Sequence, residues 1–174
     1  LGGADITNVE NVERLLKIAL EFNVTPEEDL NEKAPYETYK VASGTGFYVS
    51  DDGHIVTNYH VIEGCQDIKV HLKGNAIDTN LIAKDTRNDL ALLKVDEKPK
   101  YSFALSDESP FPLQDIIVAG YPFGEKVSSP IKFTEGIISA IAGLGDDYSQ
   151  VQIDAAIQPG NSGGPILDEF GNVV

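Results

Sequence analysis

The chain has 174 residues, with 13 Lys and Arg against 28 Asp and Glu and a formal net charge of −15. A protein this acidic is repelled by phosphate backbones and anionic lipid, so we expect no nucleic acid among its partners. Its hydrophobic content of 41% is that of a globular protein and excludes wholesale disorder. The apolar runs are far shorter than the roughly 20 residues of a membrane span, so we expect no membrane insertion. The one cysteine, Cys65, excludes an intramolecular disulfide and a multi-cysteine zinc site.

Residues 1–40 have a helical pattern. Thr7 and Glu10 have the spacing of a capping box, and apolar residues then recur at helical intervals. This predicts an amphipathic helix over about 8–22 and a second helix starting at Thr25-Pro26. We therefore expect a helical N-terminal extension, packed on the main domain or continuing an upstream helical region. A dedicated partner-binding helix is the alternative.

From residue 41 onward, short apolar segments alternate with Gly, Pro and Asp, as at the hairpin loop Asp51-Asp52-Gly53. This pattern predicts an all-β barrel or sandwich rather than alternating strands and helices. A proline-rich stretch at 96–112 divides this region into two similar halves, 41–105 and 106–174. The predicted strands are Thr45–Ser50, His54–Asn58, Lys69–Leu72, Asn80–Lys84, Ala91–Val95, Asp115–Gly120, Ile131–Phe133, Gly136–Ile141 and Gln150–Ile153.

The glycine-rich segment Gln158–Pro165 surrounds a single serine, Ser162. Glycines on both sides leave the Ser162 hydroxyl uncrowded, as a nucleophile that attacks a carbonyl carbon requires. Such a loop can also turn the backbone N–H groups of Gly160 and Ser162, with Asn161 between them, toward a substrate oxyanion. The alternative is a plain turn between strands, to which Gly, Asn and Ser are equally suited.

A histidine and an aspartate are candidates to complete such a site. Histidine is the side chain that serves a serine nucleophile as base at neutral pH, and His60 follows an apolar strand, whereas His54 and His71 lie within predicted strands. Asp89 begins the most apolar strand, where a carboxylate needs a partner such as an imidazole N–H. A structural histidine and an aspartate that caps a turn are the alternatives. Asp85 is a rival carboxylate that looks solvated.

The order His60, Asp89, Ser162, with each residue in its own motif, resembles that of chymotrypsin-type serine proteases and more closely their HtrA/Deg branch. The resemblance runs from about residue 41 to 174. It implies two β-barrels with the site between them. We expect the second barrel to be incomplete in this chain, because only 12 residues follow Ser162. The matching motifs are Ser43-Gly44-Thr45-Gly46-Phe47, Asp52-Gly53-His54-Ile55-Val56-Thr57-Asn58-Tyr59-His60-Val61-Ile62, Asn88-Asp89-Leu90-Ala91-Leu92-Leu93-Lys94-Val95 and Asp154-Ala155-Ala156-Ile157-Gln158-Pro159-Gly160-Asn161-Ser162-Gly163-Gly164-Pro165.

The resemblance implies a serine endopeptidase that hydrolyses peptide bonds through an acyl-enzyme, with His60, Asp89 and Ser162 as catalytic residues and with no metal or organic cofactor. In this fold the residue six positions before the nucleophile, here Ala156, lies at the base of the specificity pocket, with Ile157 beside it. Since no acidic side chain is present there, cleavage after Lys or Arg is disfavoured, and the resemblance implies cleavage after small aliphatic residues of unfolded or extended polypeptides. The alternative function is a non-catalytic module that binds peptides or proteins on a protease fold.

The family also suggests what surrounds this domain. The family resemblance implies polypeptide substrates and favours a location in the bacterial periplasm or cell envelope. It is compatible with a homo-oligomer and with PDZ or other domains outside this sequence. The sequence contains no Met and closes on a turn that leads into a strand, so we expect it to be a fragment of a longer protein.

Overall fold

The computed structural model describes residues 19–26, 42–72, 74–122 and 130–174, the first of these ranges by its backbone alone. These residues form eleven strands and one short helix. The predicted all-β class is therefore confirmed. The elements in chain order are β1 (Ala19–Pro26), β2 (Ala42–Tyr48), β3 (His54–Asn58), α1 (Tyr59–Ile62), β4 (Cys65–Leu72), β5 (Asn75–Asp78), β6 (Asn80–Asp85), β7 (Leu90–Lys94), β8 (Asp115–Gly120), β9 (Lys132–Ala140), β10 (Gln152–Ile153) and β11 (Ile166–Leu167).

Seven strands form an antiparallel sheet in the order β5-β4-β1-β2-β3-β7-β6. Its central strands alternate between the two faces. In β3, Ile55 and Thr57 are buried between half-buried neighbours, and in β7 Ala91 and Leu93 are buried while Leu90, Leu92 and Lys94 are exposed or half-buried. Because successive side chains of a strand point to opposite faces, this alternation puts one face of the sheet on the core.

The other four strands form a second antiparallel sheet in the order β10-β9-β8-β11. Every residue of β8 after Asp115 is buried, so this strand is covered on both faces. Its continuous apolar run is typical of such a strand. Within the described residues neither sheet closes on itself, and each has two edge strands.

Both sheets contribute to one hydrophobic core. Ile117 of β8 and Leu167 of β11 pack in the same buried cluster as Ile55 and Leu93 of the first sheet. Leu167, Ile55 and Leu93 have no exposed surface. Burying a side chain of this size stabilises the fold by about 1.5–3 kcal/mol. The shared core therefore fixes one sheet against the other, together with the loops that leave them.

Strand β1 lies inside the first sheet, between β2 and β4. Its apolar residues Leu20, Phe22 and Val24 alternate with polar ones, which is the period of a strand. Antiparallel pairing to β2 on one side and to β4 on the other gives this segment two ladders of hydrogen bonds. A short isolated helix is only marginally stable in water, so the pairing decides the conformation.

This strand corrects the predicted helical extension. The helix predicted over 8–22 is wrong for residues 19–22, and the second helix start at Thr25-Pro26 is wrong as well, because all of these residues belong to β1. The remainder of the predicted extension, residues 1–18 and 27–40, lies outside the described residues.

Candidate active site

Two neighbouring strands bring His60 and Asp89 together. β3 pairs with β7 so that Asn58, the last residue of β3, lies opposite Leu90, the first of β7. The Nδ1 atom of the His60 ring lies 2.6 Å from Oδ2 of Asp89, and the His60 backbone N–H donates to Oδ1 at 2.7 Å. When the neutral ring donates its Nδ1 proton to Asp89, Nε2 is left unprotonated and can accept a proton. The pair is about half exposed, which leaves the ring open to a substrate.

The backbone of Asp89 adopts a left-handed conformation, with φ of +54°. Such a conformation is uncommon outside glycine, and Asp and Asn tolerate it better than other residues. The Asp89 carbonyl oxygen accepts a hydrogen bond from the Tyr59 backbone N–H at 3.0 Å. The turn before β7 is thereby tied to the residue that precedes His60.

The carboxylate of Asp85, the alternative candidate, accepts hydrogen bonds from residues of its own turn. Its Oδ1 accepts from the backbone N–H groups of Asn88 at 3.1 Å and Arg87 at 3.0 Å, and its Oδ2 accepts from the Asn88 side chain at 2.6 Å. The hydrogen bonds from Asn88 hold the pKa of Asp85 below its ordinary value. Asp85 therefore orders the turn that precedes β7, whereas Asp89 contacts the histidine.

The serine loop, residues 158–164, consists of two consecutive turns. The Asn161 backbone N–H donates to the Gln158 carbonyl at 3.0 Å, and the Gly164 N–H donates to the Asn161 carbonyl at 2.8 Å. The third residue of each turn is a glycine with positive φ, +103° at Gly160 and +82° at Gly163, which is the pattern of a type II turn. Ser162 is the second residue of the second turn.

Thr45 of β2 holds this loop against the first sheet. Its backbone N–H donates to the Ser162 carbonyl at 2.7 Å, and its hydroxyl donates to the Gly160 carbonyl at 2.7 Å and accepts from the Tyr121 N–H at 2.9 Å. The Thr45 carbonyl accepts from the Thr57 hydroxyl at 2.8 Å. Both threonines are buried, so these bonds are shielded from water.

Asn58 joins the serine loop to the aspartate. Its Oδ1 accepts from the Gly163 backbone N–H at 2.6 Å, and its Nδ2 donates to the Asp89 carbonyl at 2.9 Å. The three predicted catalytic residues are therefore brought to one place, with His60 and Asp89 in direct contact and Ser162 attached through its neighbour Gly163. Among the described groups the Ser162 hydroxyl makes no hydrogen bond to His60. Such bonds are often long in enzymes without substrate.

Thr45 and Asn58 are site residues that the sequence analysis did not assign. Both lie within matched motifs, and both are polar residues in strands that also contain large apolar residues, Phe47 in β2 and Ile55 in β3. A polar side chain in such a strand needs a hydrogen-bond partner, and that is the signal that could have found them.

The loop offers two backbone donors. Among the described residues the N–H groups of Gly160 and Ser162 donate to no protein acceptor, so they can bind a substrate oxyanion. The predicted third donor, the Asn161 N–H, already donates to the Gln158 carbonyl and is therefore not available to an oxyanion. The Asn161 side chain is buried, and its Oδ1 finds no partner among the described groups.

A family model described as a trypsin-like peptidase domain matches residues 44–174. The chain belongs to this family. The peptidase domain is 44% identical over 142 residues to a probable periplasmic serine endoprotease, DegP-like, of Bartonella henselae, covering 77% of this chain and 27% of that protein. It is 42% identical over 142 residues to the uncharacterized protein y4bJ of Sinorhizobium fredii, covering 81% of this chain and 22% of that protein.

A solved structure agrees with this assignment. The serine endoprotease from Yersinia pestis superposes on the peptidase domain with a TM-score of 0.71 at 28% identity, covering 93% of this chain and 53% of that one. The resemblance to the HtrA/Deg branch and the chymotrypsin-like fold are thus confirmed. The chain spans about a quarter of the length of the curated relatives that it matches.

The predicted specificity residues of the peptidase domain lie at its surface. Ala156 is exposed, and so is 53% of Ile157, whereas Ala155 before them is buried. The Ala156 carbonyl accepts a hydrogen bond from the Thr134 hydroxyl of β9 at 3.1 Å, which fixes the segment beside that strand. In the described residues the backbone here is ordered by β9 while its side chains remain accessible.

The described part of the peptidase domain contains neither a candidate metal cluster nor a helix that could span a membrane. There, no group of three His, Cys, Asp or Glu side chains has an arrangement that could hold a metal ion. None of the helices described has the length and apolar character needed to span a membrane.

Proposed function

We propose that this peptidase domain is the catalytic part of an HtrA-type serine endopeptidase that cleaves peptide bonds through an acyl-enzyme. The observation that carries the proposal is the His60–Asp89 pair at 2.6 Å, joined by Asn58 to the loop that presents Ser162. A base oriented by a carboxylate, beside an uncrowded hydroxyl and free backbone donors, is the arrangement that serine acyl transfer requires.

The proposed reaction uses protein groups alone. The Ser162 hydroxyl attacks the scissile carbonyl carbon while His60 Nε2 takes its proton and then delivers it to the leaving amine. Water hydrolyses the acyl-enzyme by the same route, with His60 again acting as base. Asp89 keeps the proton of the neutral ring on Nδ1 and stabilises the imidazolium that forms.

The backbone N–H groups of Gly160 and Ser162 would hold the oxyanion of each tetrahedral intermediate. Positive φ at Gly160 and the bond from Thr45 to the Gly160 carbonyl fix the orientation of this part of the loop. Donors that are ordered before the reaction need no reorganisation, and one such donor is worth about 10²–10³ in turnover.

The proposed substrates are unfolded or extended polypeptides, cut after small aliphatic residues. Ala156 and its exposed neighbour Ile157 offer a small apolar contact, with no acidic side chain at either position to bind Lys or Arg. The relatives named periplasmic support a place in the periplasm or cell envelope. We propose that β1 (Ala19–Pro26) and residues 41–105 form the first barrel, since β1 belongs to the first sheet, and that 106–174 form the second. We also propose that PDZ domains and self-association belong to the longer protein.

A reactive-serine probe tests the proposal. A fluorophosphonate should label the purified protein, and Ser162→Ala should abolish the labelling, whereas Ser149→Ala, which removes an exposed serine, should leave it unchanged. Absence of labelling together with absence of peptide hydrolysis would favour a non-catalytic peptide-binding module. In a peptide-library digest, a preference for Lys or Arg before the cut would contradict the proposed specificity.

A further inference from the structure

We propose that Asn58 is a positioning residue that sets the separation between the serine loop and the His60–Asp89 pair. The inference rests on the proposed function, because it assigns a role within the same site. Asn58 itself touches no reacting atom and acts through the backbone of the residues beside the catalytic groups.

The two hydrogen bonds of Asn58 reach opposite sides of the site. Its Oδ1 lies 2.6 Å from the N–H of Gly163, the residue after Ser162, and its Nδ2 lies 2.9 Å from the carbonyl of Asp89. The first bond spans 105 positions of the chain and the second spans 31. One planar amide group thus fixes two loops that the sequence holds far apart.

The chemistry of the two partners restricts the residue that can occupy this position. The Gly163 N–H can only donate and the Asp89 carbonyl can only accept, so the bridging side chain must accept at one end and donate at the other. A carboxylate cannot donate, an aliphatic side chain can do neither, and glutamine is longer by one methylene. Asparagine has both the required groups and the required length.

The surrounding packing makes a bridge of fixed length effective. A Cβ added at Gly163 would lie 2.9 Å from the Asn58 backbone nitrogen, so the serine loop rests directly on the end of β3. The Asp89 carbonyl accepts from both the Asn58 side chain and the Tyr59 N–H. Loss of the amide would therefore remove the bond to Gly163 on one side and one of the two bonds to the Asp89 carbonyl on the other.

Thr45 does not duplicate this role. Its hydrogen bonds join β2 to Gly160, Ser162, Tyr121 and Thr57, and none of those described involves His60 or Asp89. Thr45 holds the serine loop on the sheet, whereas Asn58 relates that loop to the base. Removal of the Asn58 amide should consequently misplace Ser162 relative to His60 without unfolding the loop.

The test compares kinetic constants of Asn58→Ala and Asn58→Asp with those of wild type, for one peptide substrate. Asn58→Ala should lower kcat by about 10- to 100-fold with little change in KM, since a displacement of about 1 Å between reacting groups has an effect of this size. Asn58→Asp keeps the length and the acceptor for Gly163 but loses the donor to Asp89. It should fold as wild type does and still lower kcat.

Val70→Ala is the matched control, because Val70 is fully buried in β4, a strand that contributes no residue to the site, and its truncation should lower stability. A fall in kcat for both Asn58 variants, with kcat of Val70→Ala unchanged after correction for the folded fraction, supports the inference. Equal behaviour of Asn58→Ala and Val70→Ala would overturn it and leave the proposed function standing. A wild-type protein that neither reacts with fluorophosphonate nor hydrolyses peptides would overturn the proposed function, and this inference with it.

Discussion

Asp89 must satisfy two demands at one position. Its backbone has φ of +54°, and its carboxylate contacts both the ring and the backbone N–H of His60. Residues other than Gly, Asn and Asp rarely adopt this conformation, and only Asp among these carries a charge. The left-handed backbone and the need for a negative charge therefore both favour aspartate at position 89. A substitution can remove the charge and keep the backbone conformation.

Asp89→Asn makes this separation, since asparagine tolerates the backbone conformation and loses only the charge. We expect an unchanged fold and a fall in kcat of about 10⁴-fold, because the amide would hold the imidazole in the wrong tautomer. Steady-state peptide hydrolysis measures the change in kcat. Asp85→Asn is the control and should keep the activity of wild type. An active Asp89→Asn variant would remove Asp89 from the proposed mechanism.

Tyr48 is a buried residue whose hydroxyl has no hydrogen-bond partner among the described groups. Burial, with a smaller contribution from the charge of Glu97, raises the pKa of Tyr48 to about 12. The folded state therefore favours the protonated phenol. This contribution to stability is complete below the ordinary tyrosine pKa of about 10 and is lost as the pH rises from there toward 12.

We expect Tyr48→Phe to keep or raise the free energy of unfolding at pH 7 by up to about 1 kcal/mol, because it removes an unsatisfied buried group. The variant should also lose less stability than wild type between about pH 10 and 12. Denaturant unfolding at pH 7 and at several pH values between about 10 and 12 measures the free energy of unfolding. Tyr148→Phe is the control, because Tyr148 is largely exposed. A drop in stability at pH 7 would mean that the Tyr48 hydroxyl has a partner.

Among the elements, the two turns of the serine loop show how closely a loop can be packed on a sheet. A Cβ at Gly163 would collide with the Thr57 hydroxyl and the Thr45 carbonyl. Gly171 has nearly the same φ, +81° against +82° at Gly163, but nothing lies within 4 Å of a Cβ added there. Comparing alanine substitutions at Gly163 and Gly171 therefore separates the cost of backbone strain from the cost of steric collision.

Gly171→Ala should cost about 1 kcal/mol of unfolding free energy, from the left-handed backbone alone. Gly163→Ala should cost several times more and abolish fluorophosphonate labelling, because the loop must move away from β2 and β3. Thermal or denaturant unfolding of the two variants measures the difference. Equal losses would show that the loop is not packed as described.

Elements with a local signal were predictable from the sequence. The bounds of β3 and β8 are those predicted, since each has a clear apolar pattern and adjacent turn residues. The two-residue strand β11 was missed because it is too short to have a period. β1 was assigned to a helix because its residues fit two periods, and pairing with β2 and β4, which lie far along the chain, chose between them.

At the scale of the whole molecule, the site depends on both sheets. His60 follows the end of β3 and Asp89 precedes β7, both strands of the first sheet, and the serine loop is followed by β11 of the second sheet. The His60–Asp89 pair was predictable because each residue adjoins a recognisable strand. The contacts of Asn58 and Thr45 with the serine loop were not predictable, because Gly163 and Gly160 lie more than 100 positions away along the chain and are brought close only by the shared core.

The net charge of −15 should influence which substrates the protein meets. We expect kcat/KM for a peptide with flanking Lys residues to fall as salt is added, because screening weakens attraction beyond about 8 Å at physiological ionic strength. A peptide with the same cleaved residue and flanking Glu should show the opposite trend. Initial rates over a range of NaCl concentrations measure it, and identical salt dependence of the two peptides would contradict it.

The bonds that hold the serine loop have a consequence during biosynthesis. Thr45 and Asn58 lie in the first third of the chain, and their partners Gly160 and Gly163 follow 115 and 105 positions later. Contacts of such separation form late, because the intervening chain must be synthesised and closed first. In a nascent chain on the ribosome, the His60–Asp89 pair would therefore form before Ser162, the proposed nucleophile, is positioned. Under the proposed function, this topology would delay peptide hydrolysis until the domain has folded.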